Sequence, residues 1–256
     1  LLGSRGLGDV YKRQVDSGSN ALYMAVRLLD LPPGSEIILP SFTWVSCAHA
    51  VILAGHKPVF CDVEKATQNV TAEMILPHIT SKTGGIMVVH YAGKPVDMTP
   101  IMELGFPVIE DAAHAVDSWY KGKACGNIGD IGIYSFDAIK NLTTGEGGGV
   151  TCRDESRFAR AKKLRYCGIG KSGFEASQNE SEGAKKWWEY DIAEVFIKML
   201  PSDISAGIGL AQLQKIEDHQ QYREKIWKRY QDAFASADWI TTCLLYTSPS
   251  PRDPNR

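Results

Sequence analysis

Short apolar runs alternate along this chain with stretches in which apolar residues recur at helical spacing. The runs lie at residues 36–40, 57–62, 85–90, 107–110, 131–135 and 148–152. Runs of this length, bounded by Gly, Pro and polar residues, are typical of buried strands. After Ser17, by contrast, Leu22, Val26 and Leu29 recur every three or four positions, as on one face of a helix. The pattern therefore predicts strands that alternate with helices.

This alternation favours an α/β fold in which a mostly parallel sheet is covered by helices on both faces. Further helices are predicted at residues 45–54, 71–77, 98–104 and 153–169, and one long helix from 202 towards 234. Residues 170–190, rich in Gly, Ser, Glu and Lys, are predicted to form a loop. Ligands bind such sheets at the carboxyl ends of the strands, and Asp111, Ser135 and Lys140 lie at or just past such ends.

The composition argues against some classes of function. The formal net charge of -2 gives no reason to expect nucleic acid or an anionic membrane as a partner. No apolar run is long enough to span a bilayer. The six cysteines are scattered, without a C-x-x-C pair or a zinc-ligand spacing. We therefore expect reduced, buried thiols, no metal site and a cytoplasmic protein.

The two ends of the chain carry sequence that we interpret as foreign. Residues 9–14 can be encoded by a DNA stretch whose reverse complement, read one base later, encodes Cys-Leu-Leu-Tyr-Thr-Ser, the run at residues 243–248. Both ends thus resemble one sequencing-library adapter read in opposite directions. We therefore leave residues 1–14 and roughly the last fourteen residues out of the fold prediction, so that the remainder is an internal fragment.

Lys140 and Asp111 suggest a reaction more directly than any other pair of residues. Lys140 follows a predicted strand and precedes a glycine-rich stretch at residues 143–149, and Asp111 ends another strand. A lysine there can hold pyridoxal phosphate (PLP) as a Schiff base, and a carboxylate can keep the pyridine nitrogen protonated, so that the ring accepts electrons. A surface lysine and a helix-capping aspartate are the simpler alternatives.

Five further positions could complete such a site. His114 is either a core histidine or a hydrogen-bond partner of the phenolic oxygen of PLP. Ser19 and Asn20, at a predicted helix start, are either caps or a phosphate cradle, to which Ser135 could add a hydroxyl. Trp44 either packs in the core or stacks on the pyridine ring.

Several motifs together resemble one family. The chain contains, in this order, SGSNAL, PSFTWVSCAHAV, GHKPVFCDV, VIEDAAHA, YKGKACGNIGDIGIYSF and KNLTTGEGGGV. This order resembles the DegT/DnrJ/EryC1/StrS aminotransferases, PLP-dependent enzymes of the aspartate-aminotransferase-like fold type I that act on nucleotide-linked keto-sugars. The similarity covers nearly all of residues 15–235, which it identifies as a PLP-binding large domain that is incomplete at its N-terminus. It implies that Lys140 is the Schiff-base lysine and that Asp111 is the acid that faces the pyridinium. It also implies that His114 takes the place of the family's Gln/His partner and that Trp44 stacks on the ring. The implied phosphate contacts are Ser19, Asn20 and Ser135.

The resemblance also implies a homodimer with sites at the subunit interface. L-glutamate would donate the amine and leave as 2-oxoglutarate, and the keto carbon of the sugar nucleotide would accept it, while Lys140 moves the proton as general base and acid. Two rival functions stay open: sugar dehydration, in a branch of the family where a histidine replaces the lysine, and a non-catalytic PLP-binding or regulatory role. Tyr91, Lys186, Trp187 and Tyr190 are candidates to line the sugar site.

Two departures from the family pattern matter. Leu200 stands where many members carry an asparagine that reaches the phosphate in the neighbouring subunit. The segment before SGSNAL and the C-terminal small domain are missing, so we expect residues 236–256 to be a truncated junction followed by a foreign tail. The fragment alone could therefore be inactive.

Overall fold

The computed structural model describes residues 11–172, 189–240 and 242. Its strands are β1 (Tyr11–Val15), β2 (Glu36–Pro40), β3 (Lys57–Cys61), β4 (Thr83–Val89), β5 (Val108–Asp111), β6 (Trp119–Tyr120), β7 (Lys123–Ala124), β8 (Ile131–Ser135), β9 (Gly148–Cys152), β10 (Ile169–Ser172) and β11 (Tyr190–Ile192). Its helices are α1 (Gly18–Leu28), α2 (Ser46–Leu53), α3 (Ala72–Ile75), α4 (Met98–Met102), α5 (Glu155–Leu164), α6 (Asp203–Leu213) and α7 (Ile216–Phe234). Each of the six apolar runs forms a strand close to its predicted bounds.

Seven strands form the central sheet, in the order β1-β9-β8-β5-β4-β2-β3. β9 is antiparallel to both of its neighbours, and the other neighbouring strands are parallel. All strands of this sheet except β9 therefore run in one direction, which confirms the mostly parallel sheet that the sequence predicts. The carboxyl ends of β4, β5 and β8 lie side by side in the middle of the sheet.

The core lies on both faces of this sheet. Along β2, Ile37 and Leu39 pack into a cluster with the buried faces of α1, α2 and α5. The intervening Ile38 packs on the opposite face, in a cluster with residues of α3 and α4. This alternation follows from the two-residue period of a strand, and it confirms helices on both faces.

The edge strand β1 contains four residues that the sequence analysis assigns to foreign DNA. Residues 11–15 pair with β9 in a regular antiparallel register, from Tyr11 opposite Cys152 to Val15 opposite Gly148. The Tyr11 ring stacks on Phe158 of α5 at 5.0 Å between centroids, and Val15 is fully buried. The segment thus forms part of the sheet, and its foreign origin stays a prediction.

Two predicted elements near the C-terminal end differ from the structure. The single long helix is wrong, because the chain breaks between α6 and α7, where Lys215 has φ −102° and ψ 0°. No Gly or Pro marks this break; Leu213 and Ile216 on either side of it pack against the cluster that contains Phe136. The helix predicted at 153–169 ends earlier, at Leu164, because the backbone soon turns into the left-handed region.

The loop predicted at residues 170–190 begins and ends in strand. β10 and β11 form an antiparallel pair, with Ile169 opposite Ile192 and Ser172 opposite Tyr190. The residues between them, 173–188, lie outside the described part of the chain. Within the described residues, no helix is long and apolar enough to cross a bilayer.

Candidate active site

A cavity of about 380 Å³ opens at the carboxyl end of the sheet, within the range of about 300–1,000 Å³ that is usual for small-molecule sites. Three neighbouring strands reach it: Val89 ends β4, Asp111 ends β5 and Ser135 ends β8. The start of α1, the segment that leads into α2 and the loop after β8 complete its wall. The sheet thus brings together residues that are far apart in sequence.

Asp111 is 4% exposed, and a different donor holds each of its carboxylate oxygens. The backbone N–H of Ala113 donates to Oδ1 at 2.9 Å, and the thiol of Cys47 donates to Oδ2 at 3.2 Å. No helix begins between residues 112 and 118, all of which the structure describes, so the helix-cap alternative does not apply. The two bonds fix the orientation of a carboxylate that lines the cavity.

The N-terminus of α1 lies against the cavity wall. The Ser17 hydroxyl caps this helix by accepting from the backbone N–H of Asn20, and by helix geometry the N–H groups of Gly18 and Ser19 have no partner within the helix. Both residues line the cavity, beside Ser135. Free N–H groups and the positive end of the helix dipole make this corner suitable for an anion such as a phosphate.

Glycines allow α1 to start this close to the sheet. A Cβ on Gly18 would lie 2.7 Å from the Ser135 Cβ, and one on Gly148 would lie 2.4 Å from the Ser17 carbonyl oxygen. Either side chain would push the helix away from β8 and β9. The close approach therefore depends on the absence of a side chain at these two positions.

Lys140 lies in a loop that closes on itself after β8. The Phe136 N–H donates to the Gly147 carbonyl oxygen, and the Thr144 N–H donates to the Phe136 carbonyl oxygen, each at 2.8 Å. Within the loop, the Lys140 N–H donates to the Asp137 carbonyl oxygen at 3.0 Å. The loop thus holds Lys140 in the wall of the cavity, where it is only partly exposed, so the surface-lysine alternative does not describe it well.

His114 lies near Asp111 and Lys140 and is held in one tautomer. Its Nδ1 accepts from the backbone N–H of Ala92 at 3.3 Å, so a neutral ring carries its proton on Nε2. Partial burial lowers the pKa of His114, the Lys140 ammonium lowers it further, and Asp111 opposes them. At neutral pH the ring is therefore neutral and can donate through Nε2.

Aromatic side chains form one side of the cavity mouth. The Phe42 and Tyr91 rings are 4.6 Å apart, and the edge of Tyr91 meets His114 at 5.7 Å. Trp44 also lines the cavity but is 71% exposed. It is therefore not a core residue, and its free face is available for stacking.

Six of the seven predicted site residues line this cavity: Ser19, Trp44, Asp111, His114, Ser135 and Lys140. Asn20 does not, because its backbone N–H bonds to the Ser17 hydroxyl and its amide donates to Asp16 Oδ1 at 2.8 Å. Thr43, Ala113 and Glu146 also line the cavity but were not predicted from the sequence. Each adjoins or lies within a motif quoted above, so motif membership was the available signal.

The residues proposed for the sugar site are only partly brought together. Tyr91 lines the cavity, whereas Tyr190 in β11 does not. Lys186 and Trp187 lie outside the described residues. Leu200 is partly buried and also lies away from the cavity lining.

The chemistry of these groups fits PLP. An anion-binding helix end suits the phosphate, the fixed carboxylate of Asp111 suits the pyridine nitrogen, and the amine of Lys140 suits the aldehyde. Nε2–H of His114 can donate to the phenolic oxygen, and Trp44 can cover a ring face. All of these groups line one cavity.

Comparison with known proteins gives consistent results. The DegT/DnrJ/EryC1/StrS aminotransferase family matches residues 7–251. The dTDP-4-dehydro-2,3,6-trideoxy-D-glucose 4-aminotransferase of Saccharopolyspora spinosa is 36% identical over 221 residues, 84% of this chain and 56% of that protein.

Solved structures show the same fold. The aminotransferase TlmJ from Streptoalloteichus hindustanus superimposes with a TM-score of 0.80 at 35% identity, over 89% of this chain and 59% of that one. The PLP-form of a putative sugar aminotransferase, Spr1654 from Streptococcus pneumoniae, gives a TM-score of 0.77 at 29% identity, over 88% of this chain and 60% of that one.

These matches establish the family, the fold and the cofactor. The chain spans 56% to 61% of the length of the curated relatives it matches. PLP is the cofactor of this family, which confirms the cofactor predicted from the sequence. The chain belongs to the DegT/DnrJ/EryC1/StrS aminotransferase family.

Proposed function

We propose that the protein transfers an amino group to the keto carbon of a nucleotide-linked sugar, with L-glutamate as the donor. One observation carries the proposal: Lys140, Asp111 and the N-terminus of α1 line a single cavity. The similarity to an enzyme named for a dTDP-linked keto-sugar supports the class of substrate. A cytoplasmic location fits the substrates of such a reaction.

The roles of the residues follow from their chemistry. PLP, when bound, supplies an aldehyde that takes up the amine and a ring that withdraws electrons from the adjacent carbon. Lys140 would hold the aldehyde through its amine and, as general base and acid, would move a proton at the donor's alpha carbon. Asp111, held on both oxygens, keeps the ring nitrogen protonated. Nε2–H of His114 donates to the phenolic oxygen, and Gly18 and Ser19 bind the phosphate through their N–H groups.

A homodimer is part of this proposal. Three large apolar side chains that line the cavity are exposed in the single chain: Phe42 by 43%, Trp44 by 71% and Ile139 by 86%. Exposed apolar groups around a site mark a surface that is covered by a partner, and a second copy of the chain would close the mouth of the cavity. Light scattering of the purified chain should then give twice the mass of one chain.

Amine transfer tests the proposed function directly. The PLP-loaded chain is incubated with L-glutamate and a dTDP-linked 4-keto-6-deoxy sugar, and 2-oxoglutarate and the amino sugar are measured. We expect both products in equal amounts, none with Lys140→Ala, and no change with Lys163→Ala, which removes an exposed lysine of α5.

The same assay separates the rival functions. A deoxygenated sugar formed without aminated product would indicate dehydration. Bound PLP without any conversion of sugar or glutamate would indicate a binding protein. Either result would refute aminotransfer by this chain.

A further inference from the structure

The acid that faces the ring nitrogen is itself held by a buried thiol. Cys47 is 0% exposed, and its Sγ lies 3.2 Å from Asp111 Oδ2, although the two residues are 64 positions apart. Thr43 Oγ1 lies 3.1 Å from the same sulfur. Among the five cysteines of the described residues, Cys47 alone forms a hydrogen bond with Asp111.

The direction of the hydrogen bonds follows from the groups present. An ionised carboxylate can only accept, so the single proton of the thiol points to Asp111. The sulfur then accepts from the Thr43 hydroxyl. The result is a chain of two bonds, Thr43 to Cys47 to Asp111, in which each bond polarises the next.

Local structure supports this arrangement. Thr43 lies in the segment that leads into α2 and Cys47 lies in the first turn of this helix, and the bend between them brings the two side chains into contact. Burial raises the pKa of the Cys47 thiol well above its ordinary range, and the charge of Asp111 raises it further. Cys47 therefore stays a thiol, and hence a donor, throughout the neutral range.

We propose that Cys47, supported by Thr43, is a positioning residue that holds the Asp111 carboxylate against the ring nitrogen of PLP. The Ala113 N–H fixes Oδ1 and the thiol fixes Oδ2, so the carboxylate cannot rotate about its terminal bond without losing a partner. The bonds also stabilise its negative charge, which the pyridinium requires. The inference rests on the proposed function, because it requires the PLP ring to lie at Asp111.

Three substitutions in the 256-residue chain test this role, with PLP itself as the probe. Cys47→Ala removes the donor, Cys47→Ser keeps a donor, and Cys152→Ala removes a thiol from the same buried cluster without touching Asp111. The measurements are the dissociation constant of PLP, from its absorbance, and the 15N chemical shift of ring-labelled PLP, which reports protonation of the ring nitrogen. Urea unfolding of the PLP-free variants reports the packing loss that both alanine variants share.

We expect Cys47→Ala to weaken PLP binding about tenfold, equivalent to about 1.4 kcal/mol, because an Asp111 carboxylate that is no longer held in place must be ordered when PLP binds. Its 15N signal should move towards that of unprotonated pyridine. Cys47→Ser should restore both values, and Cys152→Ala should change neither. If Cys47→Ala does not fold, Thr43→Val tests the same chain of bonds, and we expect the 15N signal to shift in the same direction by a smaller amount.

The outcomes separate this inference from the proposed function. If Cys47→Ala matches Cys152→Ala in affinity and 15N shift, or if Cys47→Ser fails to restore them, the positioning role is wrong. If Asp111→Ala and Lys140→Ala also bind PLP as the parent chain does, the proposed site itself is wrong. Loss of PLP in those two variants, together with an unaffected Cys47→Ala, would overturn the positioning role alone.

Discussion

Glu110, the residue before Asp111, offers the most quantitative prediction. Its side chain is 0% exposed, and His90 Nε2 lies 2.8 Å from Oε2. The backbone N–H of Gly126 also donates to Oε2, at 2.9 Å, and those of Ile128 and Gly129 donate to Oε1, each at 2.6 Å. One buried carboxylate therefore fixes two loops beside β5, the strand that ends in Asp111.

The substitution Glu110→Gln changes charge and hydrogen bonding with almost no change in volume. Whichever way the glutamine amide is turned, its NH2 group faces two N–H groups. In the parent chain these two groups donate hydrogen bonds to a carboxylate oxygen. Two hydrogen bonds to a charged acceptor are lost, at about 1.5–3 kcal/mol each, so we expect a loss of about 3–6 kcal/mol in the free energy of unfolding. This is a large part of the total of about 5–15 kcal/mol that is usual for a protein.

Urea unfolding of the PLP-free chain measures this loss. With a slope of about 1–3 kcal/mol per M, the midpoint should fall by about 1 M or more. Glu103→Gln, which changes an exposed glutamate, should stay within about 0.5 kcal/mol of the parent chain. A loss below about 1 kcal/mol for Glu110→Gln would refute the argument, because the four contacts would then contribute little.

The pH dependence gives a second check on Glu110. Burial raises its pKa, but the bonds from His90, Gly129 and Gly126 outweigh burial, so that its pKa lies below the ordinary 4.5. A group with a lowered folded pKa stabilises the protein above its unfolded pKa, and this contribution is lost as pH falls through the folded value. The difference in stability between the parent chain and Glu110→Gln should therefore be full near pH 7 and shrink below about pH 4.5.

Three further results are expected at the cavity. Gly148→Ala should destabilise the chain by about 1–3 kcal/mol, because its Cβ would lie 2.4 Å from the Ser17 carbonyl oxygen. It should also weaken binding of inorganic phosphate and PLP; unchanged phosphate binding would show that the helix start is not the anion site. Trp44→Ala should weaken PLP binding by about 0.5–1.5 kcal/mol, the usual value of a stacking contact, while the unfolding midpoint of the PLP-free chain hardly changes, because the side chain is 71% exposed. In proton NMR of the PLP-free chain, His114 should titrate below the ordinary histidine range, owing mainly to burial; the resonance should move to a higher pKa in Lys140→Ala, and a shift in the opposite direction would contradict the assigned neighbourhood.

The fold was largely predictable because its signals are local. Apolar runs mark the strands, and the capping serine and the helical spacing after Ser17 mark α1. The break at Lys215 could not be predicted, since propensity gives no reason for it and it depends on how Leu213 and Ile216 pack. The small hairpin of β6 and β7 had one sequence signal, Gly122, which the prediction did not use. In the structure Lys121 and Gly122 both have positive φ, as a type I′ two-residue turn requires.

The sequence singles out Lys140 and Asp111 because one residue type carries each proposed role, and the structure places both in the wall of one cavity. The site was not predictable where function depends on contacts between distant segments. Cys47 was expected to be a reduced, buried thiol, and its hydrogen bond to Asp111 joins residues of α2 and β5 that are far apart in sequence. The phosphate contact of Asn20 stays a prediction; in the structure the backbone N–H of Asn20 bonds to the Ser17 hydroxyl that caps the helix.

Reduction of the PLP-loaded chain with borohydride, followed by peptide mapping, tests the central claim most directly. Borohydride fixes the bond between PLP and the lysine that holds it, and mass spectrometry then identifies that lysine. The account predicts a single modified peptide that contains Lys140 and no fixed PLP in Lys140→Ala. PLP fixed on another lysine, or on none, would contradict it.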